Sequence, residues 1–213
     1  MARKISDSTV RRLSAYLRIL EILGRDGEST VFSERLAQLA ATTAAQVRKD
    51  LSLFGSFGKR GLGYSVAQLA IELREILGLH RRWRLLLVGA GRIGAALFEY
   101  SNLAARGFEI VAVVDADPAK IGTTWRDLTI QSVVDIEEIA RTDEIDFLVV
   151  AVPADSAQSV VDEAVRAGVQ GILNFAPARL HVPDEVVLKN VNIVMELEAL
   201  SFALSRREEP EEE

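Results

Sequence analysis

Leu85-Leu86-Leu87-Val88-Gly89-Ala90-Gly91-Arg92-Ile93-Gly94 is the stretch that decides the fold. A short apolar run of strand length leads straight into Gly-x-Gly-x-x-Gly, and a helical pattern follows. The next apolar run, Phe108 to Val114, ends at Asp115, 21 residues past Gly94. Alone, three spaced glycines say little. Between a strand and a helix, with an acidic residue about 20 positions on, they form a dinucleotide-binding fingerprint. Gly89 permits the tight turn, Gly91 lets Ala90, Arg92 and Ile93 bring backbone amides to a pyrophosphate, and Gly94 lets helix and strand pack closely. The helix N-terminus adds positive field there. Asp115 suits the ribose hydroxyls and repels a 2′-phosphate, which favours NAD(H) over NADP(H). The competing reading is a glycine-rich turn in an α/β domain that binds nothing.

Downstream, Phe147 to Val152 and Val169 to Leu173 are two more apolar runs of strand length. Helical patterns lie between the first two and the last two of the four runs. This predicts β-α-β units and a Rossmann-type parallel sheet over 84–205. Ligands in such sheets sit beyond the carboxyl ends of the strands. Val152, Pro153, Asn174, Phe175, Ala176 and Pro177 are therefore candidate cofactor contacts, together with Tyr100 on the fingerprint helix. No catalytic apparatus accompanies them. The two histidines, His80 and His181, have no evident partner, and no HExxH or GxSxG pattern occurs in a useful place. No separate substrate domain remains. Residues 206–213, ending Glu-Glu-Pro-Glu-Glu-Glu, read as an acidic disordered tail.

Upstream, residues 1–80 read as a winged helix. Helical periodicity runs from Ser8 to Leu23 and again over Glu34–Ala40 behind a Ser33 cap. Thr43-Ala44-Ala45-Gln46 has the form of a capping box opening a third helix that runs to Phe54. On a wheel of about 100° per residue, Leu51 and Phe54 fall with Val47 on a core face, while Ala45, Arg48, Lys49 and Ser52 lie opposite. Two cations, a hydroxyl and a small residue suit entry into a DNA major groove. They also suit an ordinary solvated face. Gly55, Gly58, Gly61 and Gly63 then predict a hairpin tipped by Lys59 and Arg60, laid out as a wing beside DNA. A helix over Val66–Leu77 and a boundary near Leu79–Arg84 close the segment. Residues 1–84 hold 15 Lys and Arg against 8 Asp and Glu, whereas 85–213 hold 10 against 23, so the basic half is the one expected to meet a polyanion.

Cysteine is absent, which excludes disulfides, thiol nucleophiles and thiolate metal sites, and no metal is expected. No apolar run is long enough to span a membrane, and the N-terminus lacks a signal peptide's apolar core. A cytoplasmic location is the expectation.

Gln46-Val47-Arg48-Lys49-Asp50-Leu51-Ser52 with Phe54 through Tyr64 resembles the Rex family of redox-sensing repressors. So do Gly89–Gly94, Val114-Asp115-Ala116-Asp117-Pro118 with Lys120-Ile121-Gly122, and Gly171-Ile172-Leu173-Asn174-Phe175-Ala176-Pro177. The resemblance spans about residues 8–205. It implies a homodimer that represses transcription at a palindromic operator in double-stranded DNA and leaves it when NADH binds, with NAD⁺ a weaker competitor. It implies DNA contacts from Gln46, Arg48, Lys49, Ser52, Lys59, Arg60, Gly61 and Tyr64, and adds Ile121 to the cofactor contacts. It further implies that a C-terminal helix, about Met195 to Ser205, is exchanged between subunits. Phe202 and Tyr100 would then lie near the nicotinamide and Arg18 at the domain interface. Two other classes stay open: an NAD-dependent oxidoreductase with an accessory nucleic-acid module, and a constitutive or architectural DNA-binding protein.

Overall fold

Ser6 starts the first helix. Its hydroxyl accepts the Thr9 amide hydrogen at 3.2 Å, and Asp7 adds negative charge at the positive end of α1 (Asp7–Arg25). Leu13, Tyr16, Leu17, Leu20 and Leu23 form its buried stripe. The computed structural model describes residues 5–59 and 61–208, in two units, Met1–Arg81 and Arg82–Glu213.

In the first unit, β1 (Thr30–Val31), α2 (Ser33–Leu39) and α3 (Ala44–Ser52) follow α1. Thr43 caps α3 by accepting the Gln46 amide hydrogen at 3.1 Å. The reciprocal half of the expected capping box is absent, because the Gln46 amide reaches forward to Asp50 instead. Ser33 is not a cap either. It is the first helical residue, Phe32 holds the cap position, and the freed hydroxyl turns to Glu34 and Arg48. The expected hairpin forms between β2 (Gly58–Lys59) and β3 (Gly63–Ser65), with Gly58 opposite Tyr64. A side chain at Gly58 would meet the Gly63 carbonyl and the Tyr64 ring, so the two strands approach this closely only with glycine there. The two-residue β1 pairs with β3 and makes a three-stranded sheet. After the wing, α4 (Val66–Ile76) packs Val66, Leu69 and Leu73 into one core with the α1 stripe, Val47 and Leu51.

The second unit runs β4 (Trp83–Val88), α5 (Arg92–Phe98), α6 (Asn102–Ala105), β5 (Phe108–Asp115), β6 (Thr124–Trp125) and β7 (Leu128–Ser132). A short 3₁₀ turn (Val133–Asp135), α7 (Ile136–Thr142), β8 (Phe147–Val150), α8 (Ala154–Arg166), β9 (Gly171–Asn174), β10 (Val187–Asn190) and α9 (Ile193–Glu208) complete it. The sheet order is β10-β9-β8-β4-β5-β7-β6, parallel except where β6 pairs antiparallel with β7. The six parallel strands follow the doubly wound order in which the chain passes from β4 outward to β7 and returns on the other side at β8. That return makes a topological switch point between β4 and β8. Leu86, Val88, Val114, Leu148 and Val150 pack on the face covered by α7 and α8, and Leu85, Leu87, Val113 and Val149 on the other.

Candidate functional site

In the first unit, α3 presents the faces expected of it. Val47 and Leu51 are buried, Phe54 beyond the helix packs partly against the same core, and Ala45, Arg48, Lys49 and Ser52 are exposed. What fixes α3 is a residue on its buried side. Asp50, 1% exposed, accepts two hydrogen bonds from Arg12 on α1, Nε to Oδ2 at 2.6 Å and Nη2 to Oδ1 at 2.7 Å. Tyr16 Oη donates to Oδ2 at 3.0 Å and Gln46 Nε2 to Oδ1 at 2.7 Å. Burial pushes the Asp50 carboxyl up, but these donors outweigh it and hold the group below its ordinary value. Burial, reinforced by the Asp50 hydrogen bond, pushes Tyr16 up to about 12. Thus Gln46, expected to face DNA, has its amide nitrogen committed inside the protein.

A groove of about 720 Å³ separates α3 from the wing, lined among others by Glu34, Arg48, Ser52, Gly58, Gly61 and Tyr64. Arg48 Nη1 donates to Ser33 Oγ at 2.8 Å and to Glu34 Oε1 at 3.2 Å. The Glu34 carboxyl is held below its ordinary value, chiefly by backbone hydrogen bonding, with Ser33 and Arg48 contributing. Ser52 Oγ donates back to the Lys49 carbonyl at 2.8 Å. Lys59 lies on β2, while its side chain and Arg60 fall outside the described residues. Gly61 has φ +82°, the left-handed conformation a wing turn needs.

In the second unit, a crevice of about 960 Å³ opens at the carboxyl ends of β4, β5 and β8, the top of the size range of ligand sites. Gly89, Gly91, Arg92, Ile93, Asp115, Val152 and Pro153 line it. Gly89 has φ +103°, and a side chain there would strike the Ala151 carbonyl. A side chain on Gly94 would strike the Gly89 carbonyl, so α5 lies against the turn only because that residue is glycine. Gly91 differs from both. A methyl there meets no protein atom within 4 Å and would project into open space, which is the room a phosphate needs. Gly91 also gives α5 no side-chain cap, so the first amides of the helix stay open to a ligand.

Asp115 ends β5 on the crevice wall. Its Oδ2 accepts from the Ala90 amide at 2.6 Å and from Lys120 Nζ at 3.1 Å, and its Oδ1 from the Asp117 amide at 2.8 Å. Burial raises its pKa, and the Asp117 amide, Lys120 and the Ala90 amide together bring it below the ordinary value. It is ionised, and it braces the glycine turn as well as facing the site. Lys120, Val133, Val134, Ser156 and Ser159 also line the crevice and escaped the sequence reading. They sit on a loop, a 3₁₀ turn and α8, whose positions depend on the sheet order.

The remaining sequence candidates lie outside that lining. Asn174 is buried, and its Nδ2 donates to the Ala176 and Ala178 carbonyls and to Asn190 Oδ1, while Oδ1 accepts the Ala176 amide hydrogen. Its amide shapes the loop after β9, with the Nδ2 hydrogens engaged within the protein. Phe175 packs partly into the core, Ala176 is buried, Pro177 is exposed and Ile121 is half-buried. Tyr100 is 55% exposed just past α5, with its hydroxyl taking a hydrogen bond from Asn102. Phe202 is 64% exposed on α9. Arg18 is exposed on α1. The helix α9 runs longer than expected at both ends and takes in Arg206–Glu208, while residues 209–213 of the expected tail fall outside the described residues.

Comparison with known proteins bears on both units. A family model described as "CoA binding domain" matches residues 80–178, and one described as "Putative DNA-binding protein N-terminus" matches residues 4–52. The redox-sensing transcriptional repressor Rex of Carboxydothermus hydrogenoformans is 45% identical over 203 residues, 95% of this chain and 98% of that protein. Its counterpart in Thermus thermophilus is 46% identical over 201 residues, covering 94% of each. Among solved structures, the Rex-family repressor RSP in complex with β-NAD⁺ and operator DNA superposes with TM-score 0.92 at 35% identity, over 97% of this chain and 95% of that one. RSP in complex with β-NADH gives TM-score 0.87 at 34% identity, over 97% of both chains.

Proposed function

Because the chain belongs to the Rex family of redox-sensing transcriptional repressors, we propose that it is a repressor whose hold on a palindromic operator is released by NADH. One observation carries this reading. A basic helix and wing share one chain with a dinucleotide crevice whose Gly91 leaves room for phosphate and whose Asp115 is ionised. Lys49, Ser52 and the wing supply phosphate contacts, and Arg48 supplies a fork for a base edge. The chain is a regulator and not an enzyme, in keeping with relatives named as repressors.

Gly89, Gly91 and the first amides of α5 hold the pyrophosphate, and Asp115 takes the ribose hydroxyls of NADH or NAD⁺. A 2′-phosphate, or the 3′-phosphate of coenzyme A, would bring negative charge against the Asp115 carboxylate. The reduced nicotinamide ring is neutral and the oxidised ring carries a positive charge. Near Tyr100 and Pro177, with Phe202 of a second subunit closing the site, an apolar wall favours the neutral ring, since stripping water from an unpaired cation is costly. A tenfold preference needs only about 1.4 kcal/mol. The active species is a homodimer with α9 exchanged between subunits, and Arg18 relays the ligand state to the DNA-reading unit. Its two recognition helices must stand roughly 34 Å apart, or a multiple of that, to read a palindrome. The chain works in the cytoplasm, where its DNA and NADH are.

The test is a gel shift on a palindromic operator, titrated separately with NADH, NAD⁺, NADPH and coenzyme A. Release by NADH at concentrations where NAD⁺ has little effect supports the reading. Operator affinity indifferent to every ligand would mean a constitutive DNA-binding protein, and steady NADH oxidation with a small carbonyl substrate would mean an oxidoreductase.

A further inference from the structure

Building on the DNA-binding reading above, we propose that Glu34 is a specificity-determining residue: it holds Arg48 away from the phosphate backbone so that the guanidinium is offered to a base edge. The two exposed cations of α3 differ in their surroundings. Lys49 has no ion-pair partner among the described residues, whereas Arg48 Nη1 is held at once by Ser33 Oγ at 2.8 Å and Glu34 Oε1 at 3.2 Å. Ser33 is buried at the start of α2, so one end of this tether is anchored in the fold. Glu34 itself is exposed beside the groove between α3 and the wing. A surface serving only to attract a polyanion gains nothing from a carboxylate there.

The cost of that carboxylate depends on what the DNA offers. On DNA of arbitrary sequence, arginine gains chiefly from phosphates, and a carboxylate within hydrogen-bond reach both competes for the guanidinium and repels the phosphate. Where a guanine edge lies in the groove, Arg48 can keep its Nη1 tether and present its remaining N–H donors to the two base acceptors. A side chain already ordered by Ser33 and Glu34 also loses less rotamer freedom on binding. Glu34 therefore weakens binding to random sequence more than binding to the operator, and it widens the ratio between them.

The experiment compares full-length wild type, Glu34→Gln and Glu34→Ala by fluorescence anisotropy. Two duplexes of equal length are used: one selected from a random pool on the wild-type protein, and one of scrambled sequence, each over a series of salt concentrations. Glu72→Gln, on α4, removes one negative charge elsewhere in the same unit and serves as the control. Both Glu34 variants are expected to bind the scrambled duplex at least fivefold tighter, with the selected duplex changed less than twofold. The scrambled-duplex salt slope should steepen by about one unit as Arg48 gains a phosphate. Adding Arg48→Ala should abolish these gains. An equal gain on both duplexes, or a gain matched by Glu72→Gln, would overturn the proposal as plain charge removal. Loss of the selected duplex alone would overturn it in favour of Glu34 reading a base directly. If no duplex enriched from the pool outcompetes the scrambled one for wild type, the DNA-reading function fails, and this inference with it.

Discussion

Asp50 takes four hydrogen bonds from three side chains, and none of them comes from the outward face that bears Arg48 and Lys49. Its position in sequence, three past Val47, puts it on the inner side of α3. A wheel marks such a carboxylate as misplaced. It does not reveal that Arg12, 38 residues earlier, lies opposite it. The partner is tertiary, so no local pattern could show it. Asp50→Ala would strand Arg12 in a partly buried position and should destabilise the first unit by about 3 kcal/mol, the low end for breaking a buried pair because Arg12 can turn toward solvent. Urea denaturation of the full chain measures the loss, and hydrogen exchange at the α1 and α3 amides should locate it there. The pH dependence follows from the same cluster. The Asp50 pKa is depressed in the folded state, so its contribution is present above the ordinary carboxylate value and fades as pH falls through the lower folded one. The Tyr16 pKa is raised, so its contribution is whole below about 10 and is lost as pH climbs to about 12. Tyr16→Phe should flatten the stability curve of the first unit across that alkaline interval, and an unchanged slope would remove Tyr16 from the account.

Among elements, the β4–α5 turn was the most legible in the sequence because its physics is local. A glycine needed for φ, one needed for close packing and one needed for open space sit within six residues and leave a fixed spacing. These roles separate experimentally. Gly91→Ala adds a methyl where the free protein has no atom within 4 Å and φ is −88°, so stability should change by less than about 0.5 kcal/mol. The same methyl occupies the space assigned to phosphate, so NADH affinity, read by quenching of protein fluorescence, should fall at least tenfold. Gly94→Ala, forced against the Gly89 carbonyl, should lose both stability and binding. If Gly91→Ala binds NADH normally, the fingerprint has been assigned to the wrong surface. Other elements left little trace in the sequence. The two-residue β1 exists only by pairing with β3, and β10 is an edge strand with mostly exposed side chains and no apolar run to mark it. The β6–β7 hairpin turns on Arg126 at φ +50° rather than on glycine, so its turn carries no glycine signal. Lys120, Val133 and Ser156 reach the crevice from a loop, a 3₁₀ turn and α8, so only the tertiary fold brings them there.

At the scale of the whole molecule, the subunit contact falls to α9 in the reading proposed above. Every residue from 191 to 206 is exposed, yet Ile193, Val194, Met195, Leu197, Leu200, Phe202 and Leu204 are among them. Singly exposed apolar residues need no explanation, but Ile193, Leu197, Leu200 and Leu204 recur at helical spacing along one face of α9, with Met195 and Phe202 on the other. In the sequence this helix was legible only through the family resemblance, and its cover by a second chain rests on the reading proposed above. A dimer held through α9 makes a prediction that separates assembly from folding. Leu197→Glu with Leu200→Glu places two charges in the proposed interface while touching no buried residue of either unit. The variant should keep its circular dichroism and yet sediment at half the mass of the wild type. Operator affinity should then fall by more than a hundredfold, since each monomer keeps one recognition helix and loses the second half-site. NADH binding should weaken too, to the extent that Phe202 of a second subunit closes the nicotinamide end, and Phe202→Ala in the intact dimer measures that part alone. A double variant that stays dimeric, or a monomer that binds the palindrome undiminished, would rule out α9 as the element that joins the subunits.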